Sequence, residues 1–226
     1  MRRPILRVLS LAAMFILCLA ALAAPVVAVA TGEYEVIDAE PVIHGGMHVT
    51  FGRTAAGAST GGKWQVTVQS TDYPKWVEIS WVWPRSDGTL PASTVRRITG
   101  LDRGRTFGPV FGVNDPIDTD NTAPWVSREV LRELRTGKVA YNFKVGNVSL
   151  TGILAGDLKV DEEVLFPVEL NGRRVFLPAL KCAKGQLTIW NNMQHPLGLE
   201  YRPIGVPLFT GVFGWKAESI SIGGNV

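Results

Sequence analysis

Beyond its first thirty residues the chain carries three histidines, His44, His48 and His195, and one cysteine, Cys182. His44 and His48 stand four apart in HGGMH, a spacing that would set two metal ligands on one face of a helix. The adjacent Gly45 and Gly46 argue against a helix, and no Glu follows the first His. The pair therefore reads as ordinary surface or strand residues, and no metal site is assigned. A Ser–His–Asp hydrolase would rest on His195, but no Gly-x-Ser-x-Gly elbow accompanies it. The run Asp115, Asp118, Asp120, Asn121 offers oxygen donors of the kind calcium takes. It lacks the turn glycine and the closing bidentate Glu, and reads as a solvated loop. Cys182, in PALKCAK, has no neighbouring His to activate it and no second thiol to resolve it, so it reads as a buried, inert side chain. No glycine-rich phosphate loop precedes a helix. No catalytic residue, cofactor or metal follows from these residues.

The seven tryptophans are the other chemically distinctive set, at 64, 76, 81, 83, 125, 190 and 215. Trp64, Trp81 and Trp83 fall on the apolar faces of neighbouring strands. Core packing accounts for them, since indoles bury much area. The functional alternative is a cavity or groove for an apolar or saccharide ligand, which a β-barrel of this size can hold. Trp76 points away from that apolar face and Trp125 precedes the helix, so these two are the surface candidates. Trp64, Trp81, Trp83, Trp76 and Trp125 make up the candidate ligand-binding set.

The elements that would position these residues are strands. Asn171-Gly172 lies between VLFPVEL and RRVFLPAL. Asn-Gly tolerates the positive φ of a type I′ turn, so Val164–Leu170 and Arg173–Leu177 are expected to pair antiparallel. Leu180–Ala183, Gln186–Asn191 and Leu197–Arg202 would extend that meander, followed by Val206–Val212 and Trp215–Ile222. Upstream, Lys63–Ser70 alternates, with Trp64, Val66 and Val68 on one face. Trp76–Trp83 puts Val77, Ile79, Trp81 and Trp83 on one face. Further strands are expected at Glu33–Asp38, Met47–Gly52, Ala92–Ile98, Lys138–Val145 and Val148–Leu154. One helix is expected over Ser127–Thr136, with Ser127 as N-cap, Glu129 in the first turn, Arg132 and Arg135 late, and Gly137 as the stop. The fold class is therefore all-β, a mainly antiparallel barrel, half-barrel or sandwich with one short helix packed on the sheet.

Residues 1–30 read as a signal peptide: Arg2, Arg3 and Arg7, an uncharged apolar run from Val8 to Ala24, and Ala28-Val29-Ala30 before a cut at Thr31. The alternative is an uncleaved anchor. That segment holds three Arg and no acid, so of 23 basic and 20 acidic residues, 20 of each remain in 31–226. The excess base belongs to the signal, which removes the electrostatic case for a nucleic-acid partner. With Cys182 the only thiol after cleavage, no internal disulfide can form, and 31–226 must fold on its own core as a single β-rich domain.

The stretches TAPWVSREVLRELRTG and FPVELNGRRVFLPALKC, then LTIW and HPLGLEYR, resemble an uncharacterised exported domain of Gram-negative bacteria that often precedes an OmpA-like peptidoglycan-binding domain. The resemblance covers Arg96–Arg202, and its motifs are structural. More loosely, the architecture is similar to half-barrel envelope carriers of lipoproteins and lipids. Where that domain has an acidic turn, this chain has Asn191-Asn192-Met193-Gln194-His195, and it reaches Val226 without an OmpA-like part, so neither a charge role for the turn nor wall anchoring is carried over. The resemblance implies no reaction. The expected function is a non-enzymatic, exported cell-envelope protein of the periplasm or outer envelope, with release from the cell as a further option. It would bind a lipid-like ligand, a wall polymer or an envelope protein. It would have no nucleic-acid partner, and membrane contact only through the first segment if that is uncleaved. A secreted carbohydrate-binding module and a secreted hydrolase are the alternatives.

Overall fold

A computed structural model describes residues 34–37, 41–55, 58–82, 94–108, 118–119, 121–145, 155–203 and 214–223. All of them belong to one compact unit, Tyr34–Val226. Residues 1–30, Trp83, Asp115, Asp120 and the strands expected at Val148–Leu154 and Val206–Val212 lie outside the described residues.

The strands are β1 (Glu35–Val36), β2 (His48–Ala55), β3 (Ala58–Asp72), β4 (Trp76–Val82), β5 (Thr94–Ile98), β6 (Thr106–Phe107) and β7 (Asp118–Thr119). The helix α1 (Arg128–Gly137) follows. Then come β8 (Val139–Val145), β9 (Ala155–Leu170), β10 (Arg173–Cys182), β11 (Leu187–Trp190), β12 (Gly198–Tyr201) and β13 (Gly214–Ser221). Hydrogen bonding orders them β6-β8-β9-β10-β11-β12-β13-β2-β3-β4-β5-β7, with β1 on β10. The class is all-β with one short helix among the described residues. The sheet is mixed. A short parallel contact between β9 and β13, Ser219 to Glu169 and Ile220 to Leu170, curls β9 through β13 into a partial ring rather than a closed barrel.

The Asn-Gly turn forms as its chemistry requires. Asn171 and Gly172 have φ of 49° and 79°, and Leu170 faces Arg173. The hairpin is longer than its apolar pattern. β9 starts at Ala155, because Asp157, Lys159, Asp161, Glu162 and Glu163 obscure the Leu158 and Val160 positions that pack inward. β10 runs unbroken to Cys182, merging the separate strand expected at Leu180–Ala183. Pro178 is tolerated because its carbonyl accepts from Asn191 N. Its missing N–H therefore faces β11 and leaves the ladder to β9 intact.

α1 begins at its expected N-cap. The Ser127 hydroxyl accepts from Val130 N, and Val130, Leu131 and Leu134 are buried. Its end differs from expectation: the helix runs through Gly137, and Lys138 takes the left-handed turn at φ 58°. Lys138 is held there by Val160 N, which donates to its carbonyl, and by an ion pair to Glu163. Arg105 clamps the helix by bonding both Glu129 and Glu133, which lie one turn apart, and the Tyr141 carbonyl at the start of β8.

The core is aromatic at its centre. Phe51 and Trp64 stack at 4.4 Å, and Trp215 meets Phe51 edge-on at 4.8 Å. Phe107 and Tyr201 adjoin Trp215. Each such pair adds about 0.5–1.5 kcal/mol beyond the area it buries. These rings fill the space between the strands with side chains.

Candidate functional site

Among the described residues the histidines do not assemble a catalytic or metal centre. Gly45 and Gly46 form a turn, so His44 precedes β2 and His48 opens it, and the helical spacing is never realised. His44 Nδ1 bonds the Gly45 carbonyl at 2.8 Å. His195 is buried in the Asn191–His195 turn. Its Nε2 lies 2.9 Å from the Met47 sulfur, and its ring faces Trp190 at 5.0 Å. Burial pushes its pKa down to about 3, with the nearby His44 adding to the effect, so it is a neutral core side chain. No cluster of three His, Cys, Asp or Glu able to hold a metal occurs among the described residues. Cys182 is buried, and that burial, with Asp161 adding to it, pushes its thiol up to about 12, as an inert cysteine requires.

The candidate tryptophans are scattered, and most are interior. Trp64 and Trp81 lie on the inner face, as the alternation predicts, with Val66, Val68, Val77 and Ile79 beside them. Trp125 is a correction: expected at the surface, it is 0% exposed. Its segment is a loop that an isolated bridge ties to the start of β12. Trp125 bridges to Leu197, Val126 N donates to the Pro196 carbonyl, and Gly198 N donates to the Pro124 carbonyl. The approach is so close that a Cβ on Gly198 would sit 2.9 Å from the Pro124 oxygen. No local signal marks such a long-range bridge. Trp76 lies on the outer face as expected, half-buried, with the Arg97 guanidinium 4.9 Å over its ring. The described indoles thus provide no coplanar exposed platform for a sugar.

The unusual surface is elsewhere, on the outer face of the β9–β10 hairpin and β1. Phe166, Val168, Val175 and Leu177 point into the core. The alternate residues, Leu165 and Pro167 on β9 and Phe176 and Pro178 on β10, point out. They lie directly opposed, Leu165 to Pro178 and Pro167 to Phe176. β1 widens the patch, since Val36 aligns with Phe176 and the Tyr34 ring packs on Phe176 at 4.5 Å. Leu165 is 52% and Val36 53% exposed. The next row out is charged: Glu169 opposes Arg174, and neither has an ion-pair partner among the described residues.

Beside this patch β9 and β13 diverge around an open cleft of about 460 Å³, rimmed by Tyr34, Pro167, Glu169, Arg174, Lys216 and Glu218. Lys216 bridges it above the Phe166 ring at 5.3 Å, and Glu218 pairs with Lys63 at 2.7 Å. The cleft is not an open strand edge. Ile37 N bonds the Phe176 carbonyl on the β1 side, so the opposed Pro167 turns its backbone away from β10, toward the cleft, where it has no N–H to offer. A proline there blocks strand addition.

The patch residues were missed by reasoning from tryptophan and histidine. The signal was available in the hairpin itself. VLFPV and VFLPAL are apolar at consecutive positions, the pattern of strands covered on both faces. No family model matches this chain, and no curated protein or solved structure matches it either.

Proposed function

We propose that the protein is a non-enzymatic, exported envelope protein that works by binding another protein through the outer face of β9, β10 and β1. The observation that carries this reading is a hairpin apolar on both faces, whose inner face is buried and whose outer face is exposed at Leu165 and Pro167 among the described residues. A contiguous apolar patch with a charged rim is the usual mark of a protein interface. An enclosed lipid-like ligand is less well supported, because aromatic rings occupy the interior. Binding of a sugar by exposed tryptophans loses its platform, and hydrolysis by His195 would need a basic, accessible imidazole. The signal-like first segment and the resemblance to an exported domain support the location.

The test is site-specific photocrosslinking in intact cells. A photoreactive residue at Leu165 is expected to give one discrete protein adduct. The same residue at Tyr141, equally exposed but away from the patch, is expected not to give it. Adducts to lipid alone, or the same products from both positions, would refute a protein interface at this face.

A further inference from the structure

We infer that the occupant of this face is a second copy of the same chain, packed face to face about a two-fold axis parallel to the strands between β9 and β10. This rests on the binding reading above and names its partner. The argument is symmetry and charge. A two-fold axis along the hairpin keeps each row opposite itself and exchanges the two strands. Pro167 then meets the partner's Phe176, and Leu165 the partner's Pro178, so apolar rows cover apolar rows. In the next row Arg174 meets the partner's Glu169 and Glu169 the partner's Arg174, forming two ion pairs from groups that have no ion-pair partner among the described residues. The patch is self-complementary at this row, which holds one charge of each sign on opposite strands.

Packing by faces also agrees with the backbone. Pro167 denies the cleft side of β9 to an incoming strand, so edge-to-edge association is blocked there while the face stays open. Two sheets packed in this way bury their facing side chains as in a β-sandwich.

The experiment is analytical ultracentrifugation of the full chain as purified from the cells that express it. A concentration-dependent dimer is expected. Arg174→Glu alone and Glu169→Arg alone should each weaken it about tenfold or more, because each sets like charges opposite one another. Mixing the two variants should restore association as a heterodimer. Leu165→Glu, at an exposed position, should give monomer with an unchanged circular dichroism spectrum. A chain that stays monomeric, or a dimer indifferent to both charge reversals, overturns the proposal. The photocrosslink at Leu165 separates the two levels. An adduct of twice the chain mass supports a second copy, and an adduct to a different protein overturns it while leaving the binding reading standing. No protein adduct defeats both.

Discussion

Buried without charge, His195 makes the fold sensitive to acid. Its native pKa is pushed below the ordinary histidine value, to about 3, chiefly by burial. The unfolded chain takes up a proton near pH 6.5, but the folded chain does so only near 3. Between those values the unfolded state binds more protons, so stability is lost as the pH falls from about 6.5 toward 3. His195→Gln removes that term. Urea unfolding across this range should show a shallower pH slope in the variant, whatever its absolute stability. An equal slope would mean that His195 is protonated in the native protein. At this scale the sequence was only half legible. The inert burial of Cys182 followed from the absence of activating neighbours. The burial of Trp125 did not, because its partners, Leu197 and His195, lie some seventy residues away and leave no local pattern.

Elements with a local signal formed where expected. The Asn-Gly hairpin and α1 each rest on turn or cap chemistry confined to a few residues, which explains why Ser127 was identifiable as a cap. The first half of β9 rests on pairing with β8 and on the ion pairs of Lys138 with Glu163 and Lys181 with Glu162, none of which a period-two apolar pattern reveals. The docking of α1 depends on the Arg105 clamp. The hydrogen bond from Arg105 holds the Glu133 carboxyl below the ordinary range. A depressed carboxylate contributes stability above its unfolded pKa and loses it as the pH falls through the folded one. With the Glu133 side chain 29% exposed, solvent screening limits the effect. Glu133→Gln should cost about 1 kcal/mol at neutral pH, less than a fully buried charged bond would. In acid, where wild type has lost the same interaction, the two proteins should converge. A constant gap at every pH would show that the clamp works by shape rather than charge.

For the whole molecule, the question is what holds the partial ring at the end where β9 and β13 meet, since only two residue pairs join them there. The hairpin turn supplies the rest. Asn171 N donates to the Ile220 carbonyl at 2.9 Å, and Ile222 N donates to Asn171 Oδ1 at 2.8 Å. The turn residue thus has two duties, adopting positive φ and stapling the last strand to the tip of the hairpin. Asn171→Gly separates them, since glycine keeps the left-handed backbone and lacks the side-chain acceptor. The variant should fold with the β9–β10 ladder intact. Its cost should be about 1 kcal/mol from the lost bond, offset by little else. Amide exchange should speed up at Ile222 while the core amides of β10 and β11 keep their protection. Because Glu169 and Ser219 sit beside the staple, loosening it also shifts the charged row of the outer face relative to Lys216 and Glu218 across the cleft. The dimer should then weaken although position 171 lies outside the apolar patch. Unchanged protection at Ile222 would mean that the two parallel pairs close the ring by themselves.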